Sequence, residues 1–74
     1  METTTIVKTL IEKGAEIYDI SADLLDMRMC NKVKIFIDID NETIDIVKDR
    51  VELQYPFSLL TEKTLTKLLE FVEE

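Results

Sequence analysis

The chain has 74 residues, of which 46% are hydrophobic, and its 16 Asp and Glu against nine Lys and Arg give a net charge of −7. This length predicts a single domain, residues 1–74, and the apolar content excludes a disordered chain. The negative charge disfavours direct binding to nucleic acid or to an anionic membrane, because both attract basic surfaces, and it favours a basic protein partner instead.

Small size without covalent crosslinks predicts self-association. Cys30 is the only cysteine, so no disulfide can form within the chain. Small domains that lack disulfides and metals often complete their core by oligomerisation, and we therefore expect a homodimer. The lone thiol, together with an N-terminal segment that has neither a basic nor an apolar stretch, predicts a cytoplasmic location.

Residues 4–29 are predicted to form one long amphipathic helix. Apolar side chains recur there at steps of three and four, at Val7, Leu10, Ile11, Ile17, Tyr18, Leu24 and Leu25. Gly14 falls on the same face, where it would allow another backbone to approach closely. A break or bend in this helix would arise at Gly14 or Ser21. Asn31 tolerates left-handed geometry and is the expected end of the helix.

The hydrophobic period then changes to two, which predicts three strands at 33–39, 43–48 and 51–55. Pro56 cannot donate to a strand ladder and ends the third strand. A second helix is predicted over 61–73, with Thr61 as its N-cap. The predicted fold is α+β in the order α-β-β-β-α, a three-stranded antiparallel meander packed against a long N-terminal helix and a C-terminal helix.

The side chains that catalysis and metal binding need are scarce. Without histidine the chain lacks the commonest general base and transition-metal ligand, and one cysteine cannot build a zinc site. A single glycine excludes a phosphate-binding loop. Asp38, Asp40 and Glu42 resemble the start of a calcium loop, but the glycine that such a loop requires is missing. We therefore expect a non-catalytic protein with no catalytic residue, cofactor or metal.

Five acidic residues step along the predicted first helix at intervals of four, three, four and three, namely Glu12, Glu16, Asp19, Asp23 and Asp26. On a helix they would form one line about 21 Å long with no basic residue within it. Like charges at these spacings repel, and one reason to keep them is a positively charged partner. Further acids on the strands and turns would extend this surface, namely Asp38, Asp40, Glu42 and Asp45. The alternative is that the line is only the solvated face of an amphipathic helix.

A short, acidic chain of this kind resembles the proteins that bacteriophages use to disable host DNA-handling machinery. That class includes anti-restriction and anti-CRISPR DNA mimics and a staphylococcal phage inhibitor of the replicative sliding clamp. The resemblance implies a dimeric inhibitor that acts in the cytoplasm of the host bacterium. Its carboxylates would occupy the DNA channel of a host protein. The sliding clamp is the leading target that it implies.

One segment is also similar to the bacterial clamp-binding peptide, in which Gln is followed three, five and six residues later by apolar side chains. The matching residues are Gln54, Phe57, Leu59 and Leu60. The segment departs from that peptide at Phe57, where Leu is usual, and at Leu60, where Phe is common. The alternative is that these residues end a strand and pack as a hydrophobic staple before Thr61. Two other functions remain open: an oligomeric assembly module, and an antitoxin-type partner that neutralises a basic toxin.

Overall fold

The computed structural model describes residues 1–30 and 32–73. Helix α1 (Thr3–Glu12) precedes five strands, and a 3-10 turn (Phe57–Leu59) leads into helix α2 (Glu62–Glu73). The strands are β1 (Glu16–Ile20), β2 (Leu24–Arg28), β3 (Lys34–Asp38), β4 (Thr43–Lys48) and β5 (Val51–Pro56). The fold is α+β, as the sequence predicts. Within the described residues, no helix is both long and apolar enough to cross a bilayer.

The five strands form one antiparallel sheet in the order of the chain, and both helices contribute to a core on one of its faces. Residues that alternate along the strands and helices fill this core, chiefly Leu25, Met27, Ile35, Ile37, Ile44 and Ile46 from the sheet and Ile6, Leu10, Leu65 and Leu69 from the helices. The intervening residues of β2, β3 and β4 are half-buried or exposed. We call their side of the sheet the open face, because no helix covers it.

The predicted helix over residues 4–29 is wrong. α1 ends at Glu12, and the chain continues as β1, a bend and β2. In β2, Met27 is buried in the core while Asp26 is only half-buried on the open face, the alternation of a strand. The sheet therefore has five strands rather than the predicted three. The expected helix end, Asn31, lies outside the described residues.

Gly14 stops α1. Its amide donates to the carbonyl of Ile11 at 3.0 Å, and the amide of Ala15 donates to the carbonyl of Leu10 at 3.0 Å, which are the two bonds of a Schellman motif. The φ angle of Gly14 is +99°, in a region that other residues rarely adopt. Apart from its chain neighbours, no described atom lies within 4 Å of the place where a Cβ would sit. The glycine thus serves backbone conformation, and the close approach of another backbone that the sequence predicts does not occur at it.

Gly14→Ala should lower the free energy of unfolding by about 1–2 kcal/mol, since a Cβ is disfavoured by this backbone conformation although space for it is open. Urea denaturation measures the change. Gly14→Asn is the matched control and should cost less, because Asn adopts positive φ more readily. An Ala variant as stable as the original chain would contradict this account of the helix end.

In the second half of the chain, the strands and the helix occur where the hydrophobic pattern predicts them. β4 spans the predicted residues 43–48, and β3, β5 and α2 lie within a residue or two of their predicted bounds. The Thr64 amide donates to Thr61 Oγ1 at 3.1 Å, which confirms Thr61 as the N-cap of α2. Ile39 is the exception, because it leaves the alternation and is exposed in the β3–β4 turn.

Candidate binding surface

Four acidic residues lie at one end of the sheet. In a meander the β1–β2 and β3–β4 turns lie at the same end, and here the Ile39 amide joins them by donating to the Asp23 carbonyl at 2.9 Å. The Phe57 amide, directly after β5, donates to the Glu42 carbonyl at 2.7 Å and so connects the end of β5 to the β3–β4 turn. The acids brought together, which we call the acidic end, are Asp23, Asp38, Asp40 and Glu42.

The acidic end has no basic neighbour from its own turns. No Lys or Arg occurs in residues 14–27 or 35–47, which supply both turns. Among the described residues one ion pair forms, between Arg28 and Asp26, and it involves none of the four acids. The opposite end of the sheet carries six of the nine basic residues, at Lys13, Arg28, Lys32, Lys34, Lys48 and Arg50. The molecule is therefore electrostatically polar along its strands.

Asp38 holds the β3–β4 turn in place. Its carboxylate accepts hydrogen bonds from the Asn41 amide at 3.0 Å and from Asn41 Nδ2 at 2.8 Å. These bonds, that from the backbone amide first, lower the pKa of Asp38. Glu42 follows with a φ of +53°, which closes the turn. The exposed Asp40 and Glu42 carboxylates thus project from a turn with internal bonding, and so lose less entropy on binding than side chains of a loose loop.

The free energy of unfolding should decrease as the pH is lowered, because the Asp38 carboxylate becomes protonated. Its pKa is lower in the folded protein than its ordinary value, so its contribution is complete at neutral pH and is lost as the pH falls below about 4. Urea midpoints measured from neutral pH to about pH 2 test this. Asp38→Asn should flatten the decline, and Asn41→Ala, which removes the side-chain donor, should flatten it partly. Identical pH profiles for all three proteins would contradict it.

On the open face, Asp26 is neutralised. The Arg28 guanidinium donates to it through Nε at 2.9 Å and Nη2 at 3.0 Å, and this bidentate hydrogen bonding is the main reason why the pKa of Asp26 is lowered. The same guanidinium lies 4.2 Å from the centre of the Tyr18 ring. The sequence analysis does not predict this cluster, because residues two apart on the predicted helix point in different directions. A period of two around Met27 places Asp26 and Arg28 on one face of a strand.

Asp45 lies near the centre of the open face, between Phe36 of β3 and Gln54 of β5. It is half-buried, and its Oδ1 is buried without a hydrogen-bond partner among the described residues. Most buried polar atoms in proteins have such a partner. Asp45 can therefore accept a hydrogen bond that a partner donates, but its apolar neighbour Phe36 makes this region a poor imitation of a row of phosphates.

The predicted line of five carboxylates does not exist, because its residues lie on α1, β1, β2 and the bend between the two strands. Glu12 and Glu16 are at the opposite end of the sheet from Asp23. Asp19 and Asp26 pair across β1 and β2 in mid-strand. The structure instead groups Asp23 with the three acids of the β3–β4 turn, which were predicted only as additions to the line.

The residues that resemble a clamp-binding peptide are divided between core and surface. Phe57 and Leu60 are each 3% exposed and belong to the core, whereas Leu59 is 64% exposed. Gln54 is exposed on the open face, where it pairs with Asp45. The folded chain cannot insert Phe57 and Leu60 into a pocket of another protein without giving up part of its core. The burial of Phe57 and Leu60 agrees with the alternative interpretation, in which the segment packs against the core before α2.

No protein-family model, no curated protein and no solved structure matches this chain. Function is therefore inferred from its own residues and geometry. Within residues 1–30 and 32–73, no three acidic or cysteine side chains are grouped so that they could hold a metal ion.

Proposed function

We propose that this chain is a non-catalytic cytoplasmic protein that inhibits a DNA-handling protein by occupying its basic DNA-binding channel. The observation that carries the proposal is the acidic end, where two turns joined by a backbone hydrogen bond carry four acidic residues and neither turn contains a basic residue. The bacterial sliding clamp is the first target to test. Anti-restriction and anti-CRISPR inhibition are the alternatives within the same class.

The physical basis is competition for cationic side chains. Duplex DNA presents one negative charge per about 1.7 Å of its axis, and channels that hold it are lined with Lys and Arg. Carboxylates carried by turns whose backbones are joined by hydrogen bonds can engage those side chains with little reorganisation of the chain. The net charge of −7 adds long-range attraction, so association should be fast and should weaken as salt is added.

The proposed contact is smaller than the nine-residue surface that the sequence predicts. It consists of the acidic end, because Glu12 and Glu16 lie at the far end of the sheet and Asp26 is engaged with Arg28. The peptide-pocket route to a sliding clamp is not part of the proposal, since Phe57 and Leu60 are core residues.

Charge reversal at the acidic end tests the proposal. The test variant is Asp23→Lys with Asp40→Lys and Glu42→Lys, which leaves the turn-forming Asp38 intact. The matched control is Asp49→Lys with Glu52→Lys and Glu70→Lys, three exposed acids at the other end. Both variants change the net charge equally, and Asp49, like Glu42, has a φ of +53°.

Binding to a purified bacterial sliding clamp, and displacement of primed DNA from it, should be measured at low and high salt. Both variants should bind more weakly at low salt, because both lose long-range attraction, but the acidic-end variant should bind at least about 30-fold more weakly than the control, because it also loses the contact itself. Equal weakening of both variants would exclude the acidic end as the contact. Failure of the unchanged protein to bind would remove the clamp as target, and the same pair would then be tested on a restriction enzyme and a CRISPR effector.

A further inference from the structure

The edge strand β1 carries isoleucines that lie on the core side of the sheet but are exposed. All five of its residues are exposed. Ile17 pairs with Met27 and Ile20 pairs with Leu25, so both isoleucines lie on the helix-bearing face of the sheet. Met27 and Leu25 are buried there, yet Ile17 is 47% exposed and Ile20 is 66% exposed. The hydrophobic layer continues to the edge of the sheet, beyond the reach of the helices.

α1 extends this apolar surface. One flank of the helix faces α2, since Lys13 shares a groove with Thr66 and Glu70. Ile11 points about 200° away from Lys13 around the helix axis, and Val7 is on the same flank as Ile11. That flank borders a shallow groove of about 590 Å³, lined by Thr3, Thr4, Val7, Lys8, Ile11 and Glu12. We call Val7, Ile11, Ile17 and Ile20 the apolar flank.

A β-bulge sets the spacing of the two isoleucines along this edge. In a regular strand, residues three apart face opposite sides, but the register of β1 shifts between Ile17 and Asp19, with Tyr18 as the extra residue. The bulge brings Ile17 and Ile20 to one face at a spacing of three. A regular strand meets this pair with residues two apart, as β2 does with Leu25 and Met27. An antiparallel copy of β1 has the same spacing of three, so Ile17 lies opposite Ile20 of the second copy and Ile20 opposite its Ile17.

We propose that β1 pairs antiparallel with β1 of a second copy across a two-fold axis, joining two five-stranded sheets into one and burying the apolar flank of both copies. This register also places Tyr18 opposite Asp19 of the second copy on the open face, and it keeps the two Asp19 carboxylates apart. A stable interface takes about 800 Å² from each partner, roughly a sixth of the 4957 Å² surface of one chain.

The charges on α1 suit the same two-fold arrangement. The axis that makes the strands antiparallel also makes the two α1 helices antiparallel. Lys8 and Glu12 are one helical turn apart at the margin of the groove, so Lys8 of each copy faces the Glu12 end of the other. Opposite charges therefore meet twice around an apolar centre, which favours a second copy of this chain over a partner of unrelated sequence.

Disulfide crosslinking tests the register. Cys30→Ser removes the only native thiol, and Ile17→Cys and Ile20→Cys are then introduced on separate chains. Directly opposite residues have Cβ atoms about 4.5–5.5 Å apart, close to disulfide geometry. After mixing and mild oxidation, the disulfide between positions 17 and 20 should exceed both homodisulfides severalfold. Leu59→Cys in the same background, equally exposed but far from β1, should crosslink little. Equal yields of all species would overturn the proposed register.

Sedimentation equilibrium tests the dimer. Ile20→Lys should raise the dissociation constant at least about 30-fold, because it places a charge in the interface, whereas Phe71→Lys, at a 60% exposed position of α2, should change it less than about threefold. Circular dichroism establishes that both variants are folded. A chain that is monomeric at about 100 µM, or a dimer that Phe71→Lys disrupts and Ile20→Lys does not, would overturn the proposal. These measurements include no DNA-handling protein, so their failure is distinguishable from failure of the proposed inhibition.

Discussion

Phe57→Ala should lower the free energy of unfolding by about 3–5 kcal/mol, enough to unfold a large fraction of a domain this small. The side chain is 3% exposed, and the residue's amide donates to the Glu42 carbonyl while its carbonyl accepts the Met1 ammonium, each at 2.7 Å. Truncation leaves a cavity where the 3-10 turn meets the sheet. Guanidinium denaturation, followed by circular dichroism, measures the loss.

Leu59→Ala is the matched control for this experiment. Leu59 is two residues away in the same turn but is 64% exposed, so its truncation should cost less than about 0.5 kcal/mol. The pair separates the two interpretations of the segment that resembles a clamp-binding peptide. If Phe57 were a recognition side chain held in solvent, its removal would weaken partner binding and leave stability unchanged, and that outcome would contradict the structure.

Met27→Ala should cost about 2–5 kcal/mol of unfolding free energy, because Met27 is fully buried in β2 against the neighbouring strands. Leu24→Ala, in the same strand but 38% exposed on the open face, should cost less than about 1 kcal/mol. Urea denaturation of the two variants side by side gives the comparison.

The order of these two losses distinguishes a strand from a helix. On a helix over residues 4–29, Leu24 belongs to the apolar stripe and Met27 lies off it, so truncating Leu24 would cost more. In the hairpin of β1 and β2 the order reverses, because alternate residues face the core. A greater loss for Leu24→Ala than for Met27→Ala would restore the helix interpretation and remove two strands from the sheet.

The second half of the chain could be predicted because its local signals agree. Ile35, Ile37, Ile44 and Ile46 alternate with more polar residues, and all four are buried. Pro56 and Thr61 then mark a strand end and a helix start by chemistry that acts within a few residues. The α+β class and the antiparallel meander follow from such local information.

The first half was mispredicted because a bulged hairpin imitates a helix. The extra residue at Tyr18 gives Ile17 and Ile20 a spacing of three, and the bend at 21–23 contains neither Gly nor Pro to mark it. Gly14 was the available signal. A glycine after an amphipathic segment of about ten residues is a common helix end, whereas a continuous helix over 4–29 gives it only the role of a close-contact site.

The acidity of the contact surface could be predicted, but its grouping could not. Asp23 lies 15 residues from Asp38 in the sequence, and the hydrogen bond from Ile39 to the Asp23 carbonyl joins their turns only in the folded sheet. Nor could the neutralisation of Asp26 by Arg28 be anticipated once both were assigned to a helix. The sequence gives the number of charged residues, but which of them lie next to each other depends on the register of the strands.

The neighbour-to-neighbour strand order has a kinetic consequence. Every strand pairs only with the strand before or after it in the chain, so each hairpin closes a short loop, and such topologies fold rapidly. α1 differs, because Ile6 and Leu10 pack into a core built from strands that follow them. We therefore expect the first helix to remain undocked during synthesis on the ribosome until the later hairpins have emerged, and to pack near the end of folding.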